Sequence, residues 1–467
     1  MNVKGVRKTC AVVFGLLSIF FAVVAIHNQF FAEKAGKDCA EAAALNFDSG
    51  VESAAREQDK LIFLTVDDVP CSKALRKIIA GNYLWANIDK SANPADFEIY
   101  NRFFRRASKS ENDFVCAILT PKLKPVYIST KLDEDKLKRL LPAVAKAYSS
   151  QRQKLRDRAE EASTRVTISS SGIFNRILVC GFSVQTKPFQ GAITSDMPIA
   201  FLTENARLAF ARYKKLNDVR LKALASSAFE ALMRRYQSEK SPEGKMLIAR
   251  ALADASFAVP TEALTPLKEQ ADELVGNFQP SSASNCALAL SVLVKADQIF
   301  GNPKYGQKAK DIRTKIIKCA LSRYPVTANL QPYQGSNSLA DAYDMALMAN
   351  ALCDYARANK DKAAVEAALS LISKLDADYR QNGLWSINSS RSPSAGFIRV
   401  KVLSDEERPS YVGEALQAIA KLKAITGMKK ISDAEDSAKR IGGSFAQNYD
   451  GVGASIKLAS FVGDKSI

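Results

Sequence analysis

Lys60-Leu-Ile-Phe-Leu-Thr-Val66, running directly into Asp67-Asp-Val-Pro-Cys-Ser-Lys-Ala74, decides how the first third of the chain is read. Five of the seven residues in 60–66 are apolar, and β-branched and aromatic types dominate. That composition suits a short strand buried on both faces, as in a parallel sheet. The polar turn after it delivers Cys71 to the start of a helix over 71–80. Working outward, Leu84 to Ile88 is a second strand that ends at Asp89. Ala95 to Ala107 is helical, with Phe97, Tyr100 and Phe104 at helical spacing. Phe114 to Leu119 and Pro125 to Ser129 are two further strands around a Thr120-Pro-Lys-Leu123 turn, and Asp133 to Tyr148 is a closing helix. The order βαβαββα places a βαβ half and a ββα half on one mixed sheet, a domain over 40–150.

Beyond it the character of the chain changes. Residues 151–195 read as a linker. It opens on a charged helical stretch (Arg152, Lys154, Arg156, Asp157, Arg158, Glu160, Glu161) and contains a Ser169-Ser-Ser-Gly172 loop and a candidate strand, Ile177-Leu-Val-Cys180. From 196 to 467 helix follows helix. Ser241-Pro242, Thr265-Pro266 and Asn302-Pro303 each pair a capping residue with proline at the first helical position, and Gly276 and Gly301 supply stops. The segments are 197–216, 218–236, 243–257, 265–276, 283–300, 303–323, 336–358, 361–381, 409–427 and 432–449. Antiparallel pairs at roughly 40 to 50 residues per pair predict a stacked or closed α/α array.

The N-terminus carries Lys4, Arg7 and Lys8 before an apolar run from Ala11 to Ile26. A basic segment followed by an apolar one reads as a signal peptide or membrane anchor over 1–32, with everything after it exported to the periplasm or the outer face of a membrane. Val23 and Ala25 suit a signal peptidase, whereas Phe30-Phe-Ala32 prolong the apolar character, so cleavage and retention fit equally. The net charge is +17. Lys304, Lys308, Lys310, Arg313, Lys315 and Lys318 share a segment with a clean apolar stripe, which is the pattern of a solvated helix face and not of a nucleic-acid site.

Composition removes several chemistries. The one histidine, His27, belongs to the leader, so imidazole-based triads, general bases and His-Glu-x-x-His zinc sites are excluded from the mature chain. Of the eight cysteines, Cys10 falls with the leader, and no two of the rest lie within four residues of each other. There is therefore no Cys-x-x-Cys and no zinc spacing, and neither metal nor cofactor is expected. Cys286, Cys319 and Cys353 sit among apolar helical positions as small core hydrophobes.

The 60–74 stretch resembles the spermatogenesis-associated thioredoxin-like protein family, in which a thioredoxin-like domain precedes a six-hairpin α/α toroid. In that family the strand leads without gaps into Cys-His-Trp-Cys. Here Cys71 matches the first cysteine, Ser72 and Lys73 the middle pair, and Ala74 the second cysteine. Ile88-Asp89, Pro94 with Tyr100, and Leu119-Thr-Pro121 with Lys124-Pro125 also match the family's strand end, helix and hairpin. The family's Gly-Trp-Pro falls on Asn112-Asp-Phe114, without the proline. In the helical part Gly244-Lys-Met-Leu247, Leu339-Ala-Asp-Ala-Tyr343 and the spacing of Arg399, Lys401, Asp405, Pro409 and Ser410 are similar to family segments, while the reactive polar residues around Lys245 are replaced. The resemblance implies a thioredoxin-like domain followed by a toroid that resembles, in shape, sugar epimerases and glycosidases.

Cys71 is the candidate catalytic thiol. A helix N-terminus and Lys73 would favour its thiolate, but Ala74 offers no resolving sulfur for a dithiol cycle. A Cys71–Cys116 bridge is an open alternative. Tyr333, Asp341, Tyr343, Asp344, Trp385, Arg399 and Lys401 are the candidate lining of a central cavity in the toroid, where aromatics and charges suit a glycan or peptide. These features predict a non-catalytic binding or scaffold protein of the cell envelope. The alternative is an enzyme, either a monothiol redox protein through Cys71 or a carbohydrate-active toroid through carboxylates such as Asp341 and Asp344.

Overall fold

The computed structural model describes residues 44–47, 49–67, 71–90, 94–108, 112–171, 193–279, 282–323, 325–331, 339–392, 401, 403–405, 408–448 and 453–462. The chain divides into two units. One comprises residues 1–173 with 391–398, the other residues 174–390 with 399–467. The leader and the 177–180 strand proposed from sequence lie outside the described residues, and no helix among them is long and apolar enough to cross a membrane.

The first unit is built on a five-stranded sheet in the order β1-β3-β2-β4-β5. Its strands are β1 (Leu45–Asn46), β2 (Leu61–Val66), β3 (Tyr83–Ile88), β4 (Cys116–Leu119) and β5 (Pro125–Ser129). β2 pairs parallel with β3, Ile62 opposite Leu84, and antiparallel with β4, Phe63 opposite Ile118. Every residue of β2 is buried, because helices cover both sides of this central strand. Three helices bear on the argument. α1 (Ser49–Glu57) precedes β2, α2 (Lys73–Asn82) joins β2 to β3, and α3 (Pro94–Ser108) joins β3 to β4. Phe63, Leu75, Ile79, Cys116, Ile118, Leu137 and Leu141 form the core on one face. On the other, Tyr100 meets Phe47 and Phe114 edge-on, at ring separations of 5.8 and 6.3 Å. α4 (Glu134–Ser150) and α5 (Arg152–Ser171) complete the unit. Ser72 caps α2 by accepting from the Leu75 amide at 3.3 Å.

The second unit is helical apart from the two-residue strands β6 (Arg380–Gln381) and β7 (Leu384–Trp385). Its helices are α6 (Ile199–Leu216), α7 (Val219–Ser238), α8 (Pro242–Asp254), α9 (Thr265–Gly276), α10 (Ala283–Phe300), α11 (Pro303–Ala320), α12 (Ala342–Asn359), α13 (Lys362–Asp378), α14 (Tyr411–Thr426), α15 (Glu435–Asn448) and α16 (Ala454–Val462). Two-residue turns after α6, α10 and α12 force the following helix to run back along its predecessor. The packing order closes on itself: α6 packs on α8, α8 on α10, α10 on α12, α12 on α14, α14 on α16, and α16 returns to α6. These six share one direction and form an inner ring, with α7, α9, α11, α13 and α15 outside it among the described residues. The composition follows the layer: α10 and α12 are buried along most of their length and Ala- and Leu-rich, whereas α11 shows a single buried stripe of Tyr305, Ala309, Ile312, Ile316 and Ala320. The closed array expected from sequence is this ring. α16, which completes it, was not foreseen, because nine residues after a glycine-containing loop carry little periodic signal.

Candidate active site at the N-terminal rim of the helical ring

The interior of the ring carries a network of buried polar and charged side chains, in which Arg250 Nη1 and Asn350 Oδ1 have no hydrogen-bond partner among the described residues. Arg207 on α6 donates to Glu204 Oε2 at 2.9 Å, to Asp254 Oδ2 on α8 at 2.8 Å and to Gln417 Oε1 on α14 at 3.2 Å. Arg250 on α8 donates to Glu414 Oε1 on α14 at 2.5 Å, and Asn350 on α12 donates to Glu414 Oε2 at 2.5 Å. Lys295 pairs with Asp254, and Lys421 with Asp354. Burial alone would raise Asp254, but Lys295 and Arg207 override it and hold the carboxyl far below the usual carboxylate range. Burial likewise opposes the charge on Glu414, and Arg250 and Arg207 win. These paired charges line the interior in which the sequence reading placed a ligand.

The rim where the inner helices begin carries a different cluster. Asp341 caps α12 and forms a reciprocal box with Asp344: Asp341 Oδ1 accepts from the Asp344 amide at 2.8 Å, and Asp344 Oδ2 accepts from the Asp341 amide at 3.1 Å. Asp344 also bonds Ser284, in the first turn of α10. Just before α14, Arg408 lies against all of this. Its Nε is 3.4 Å from Glu243 Oε1 at the start of α8, its Nη1 is 3.8 Å from Asp341 Oδ2, and its guanidinium sits 5.1 Å above the Tyr343 ring. Arg408 and Glu243 are partly exposed, at 35% and 25% of their side chains, while Asp341 is sealed. Glu243 Oε1, Asp341 Oδ2 and Tyr343 Oη are all shielded from solvent and have no hydrogen-bond partner among the described residues. Burial, followed by the neighbouring Asp341, pushes Asp344 up to about 8, and burial also raises Asp341. Burial thus disfavours the charged form of both carboxyls of this pair.

The structure places Asp341, Tyr343 and Asp344, which the sequence reading assigned to the lining of a central cavity, together at this rim, and adds Glu243 and Arg408, which sequence reading missed. Glu243 directly precedes the Gly244-Lys-Met-Leu247 segment and Arg408 directly precedes Pro409-Ser410, so both stood beside segments already singled out. Trp385 is corrected. Its ring has no exposed surface, its Nε1 donates to Asp376 Oδ1 at 2.7 Å, and its carbonyl accepts from Tyr411 Oη at 3.0 Å. A buried indole with its donor satisfied is a core residue and has no face for stacking. Lys401 is buried as well. Tyr333 and Arg399 lie outside the described residues.

Cys71 also differs from expectation. It precedes the Ser72 cap and is buried, and Glu134 of α4 accepts from the Ser72 amide at 2.7 Å. Burial first, and then the Glu134 charge, raise the thiol above its ordinary value, with Arg76 opposing. The Glu134 carboxylate thus sits on the helix end whose dipole was expected to favour a thiolate. Cys116 is pushed up to about 12 mainly by burial, and neither it nor Cys71 is in a disulfide, so the bridge left open by the sequence is not formed.

No protein-family model matches this sequence, and no curated protein matches it. Solved structures of similar shape include a D-mannose isomerase (TM-score 0.39, 14% identity, over 52% of this chain and 74% of that one). Others are the GH76A α-1,6-mannanase from Salegentibacter sp. HEL1_6 (TM-score 0.43, 9% identity, over 57% and 87%) and an unsaturated glucuronyl hydrolase specific for heparin (TM-score 0.39, 15% identity, over 53% and 73%).

Proposed function

We propose that the helical ring is a carbohydrate-active module that takes a neutral sugar at the rim formed by Glu243, Asp341, Tyr343 and Arg408. The observation that carries this reading is the set of unsatisfied atoms around one partly exposed guanidinium. Glu243 Oε1 and Asp341 Oδ2 require donors, and Tyr343 Oη has a proton to give. A polyhydroxylated ring supplies donors and acceptors in close succession. The surroundings select against an anion: the carboxyl groups of Glu243 and Asp341 both face the one guanidinium of Arg408. Glycoside chemistry needs two carboxyl groups, and Glu243 and Asp341 are the pair that Arg408 holds together. Titration of the full chain with neutral oligosaccharides should find a binder. Glu243→Gln should retain that binding and lose any turnover, and Arg408→Ala should weaken binding at least tenfold. Binding of polyanions with no response to neutral sugars would overturn the reading.

We further infer that the sheet unit is a thioredoxin-like domain retired from dithiol chemistry, and that the chain beyond the leader lies outside the cytoplasm. The order of its strands, the position of Cys71 before α2 and Ala74 in the resolving position support the first inference. The basic segment before the 11–26 apolar run supports the second. Turnover in an insulin-reduction assay, abolished by Cys71→Ser, would refute the first. Activity of a cytoplasm-only reporter fused at the C-terminus would refute the second.

A further inference from the structure

The rim opposite the candidate site, where the inner helices end, has a surface unlike the rest of the ring. The large exposed apolar side chains of the helical unit gather there. Leu216 ends α6, Val219 starts α7, Phe257 follows α8, and Ile425 and Met428 flank the end of α14; among the described residues of the unit only Leu321 lies elsewhere. Val219 is 82% exposed and Leu216 58%, far beyond what a packed side chain shows. These positions fall on one arc, because α14, α16, α6 and α8 are successive neighbours in the ring. Ring contacts tie the arc together. Tyr213 and Phe257 lie 5.8 Å apart, Lys214 is 5.6 Å over Phe257, and Lys215 is 5.6 Å over Phe461 near the end of α16.

Cations are interleaved with the apolar tips. Lys214, Lys215, Arg220 and Lys222 surround Leu216 and Val219, and Lys429 and Lys430 follow Met428, all exposed. Asp218, Asp433 and Asp436 are exposed acids among them; Asp218 is held by its own helix cap, Asp433 by Lys430 at 2.8 Å, and Asp436 also acts on Lys430. Lysines in a last helical turn also complement the helix dipole, but that role leaves the exposed leucine, valine and phenylalanine unexplained. Protruding apolar tips set in a basic collar are the composition of a surface that seats at a lipid headgroup layer.

We propose that this rim docks on an anionic lipid surface, the apolar tips entering the headgroup region and the lysines and arginine contacting acidic headgroups. The proposal is independent of what the opposite rim binds. It commits to lipid because the basic collar around the exposed apolar tips complements a uniformly negative plane.

The test is a reporter in the full chain. Val219→Trp places an indole on the most exposed tip, and the native Trp85 and Trp385 are buried and contribute a constant background. Vesicles containing phosphatidylglycerol should shift the added emission to the blue and allow quenching by brominated acyl chains, and high salt should reverse both. Phosphatidylcholine vesicles should do neither. Adding Lys214→Glu and Lys215→Glu should weaken the response about tenfold or more. Sedimentation of the protein with vesicles while the added emission stays that of a water-exposed indole would show that another part of the chain binds lipid, and would overturn the proposal. An equal response to both lipids, or a shift produced only by a protein partner, would overturn it too. Phe257→Ser, which should lose the sedimentation that depends on phosphatidylglycerol while the melting temperature stays unchanged, checks the same face without the reporter.

Discussion

Arg250 on α8 and Glu414 on α14 meet inside the ring, Nη2 to Oε1 at 2.5 Å, although their helices are not neighbours around it. Both side chains are sealed from solvent. The pair therefore ties opposite parts of the inner wall, with Asn350 of α12 on the second carboxylate oxygen. Removing one partner strands a charge in a low-dielectric interior. Arg250→Ala should destabilise the helical unit by about 3–5 kcal/mol. Replacing both, as Arg250→Met with Glu414→Met, should recover much of that loss, because the desolvation cost disappears with the charges. Urea unfolding followed by far-ultraviolet circular dichroism measures both.

The Asp341–Asp344 box makes a prediction about pH. Asp344 moves from an ordinary 3.8 to about 8 in the folded chain, through burial first and the Asp341 charge second. A raised carboxyl binds its proton more tightly when folded, so its contribution to stability is complete below about 4 and drains away as pH rises towards 8. Asp344→Asn imitates the neutral form and keeps an oxygen for the Asp341 amide. The variant should gain on the wild type steadily between pH 4 and 8 in melting temperature. Parallel curves across that range would show that Asp344 does not hold its proton.

Cys71 should be a sluggish thiol. Its environment disfavours the thiolate through burial and through Glu134, in that order. Alkylation of the full chain at pH 7, read by mass spectrometry of the Cys71 peptide, should be slower than that of a free cysteine. Glu134→Gln keeps an acceptor for the Ser72 amide, bonded now at 2.7 Å, and removes the charge. It should speed alkylation and move its midpoint to lower pH. An unchanged midpoint would leave burial as the whole cause.

What was legible in the sequence follows physical period. The strand at 61–66 announces itself by an apolar run ended by a polar turn, and the helix around Phe97, Tyr100 and Phe104 by helical spacing, and the structure has a strand and a helix there. Helices α8 and α11 carry caps that can be read one residue at a time, from Ser241 and Asn302, whereas Thr265 lies inside α9 without capping it, and Asp341, read within a helix over 336–358, caps α12. The ring's interior was not legible. Arg250 and Glu414 look like the polar face of ordinary helices until closure turns that face inward, and only contacts 164 residues apart in sequence reveal it. Trp385 failed for the opposite reason. Residue type suggests a binding platform, but whether an indole faces a ligand or a core depends on the short β6–β7 hairpin, which has no periodic signal.

The closure of the ring rests on a contact that only glycine permits, which gives the sharpest structural test. Gly413, in the first turn of α14, lies so close to α16 that a Cβ there would stand 2.1 Å from Ser455 Oγ and 2.7 Å from the Ser455 carbonyl carbon. The neighbouring bonds hold this approach in place. Asp405 accepts from the Ser410 amide at 2.7 Å and from the Ser455 amide at 2.9 Å, and Gln417 donates to the Ser455 carbonyl at 3.0 Å. Gly413→Ala must push α16 outward, costing about 1–3 kcal/mol as overpacking. Ser455→Gly in the same chain should restore only part of the loss, since the clash with backbone remains. Two other helical glycines serve as controls. A Cβ at Gly276 meets nothing within 4 Å, so Gly276→Ala should stabilise by up to about 1 kcal/mol through helix propensity. A Cβ at Gly244 meets only the end of the Glu239 side chain, which can swing aside, so Gly244→Ala should be nearly neutral. Melting temperatures for the three single variants should therefore rank Gly276→Ala first, Gly244→Ala next and Gly413→Ala last. If Gly413→Ala melts with Gly244→Ala, α16 is not packed against α14 as described and the ring is open.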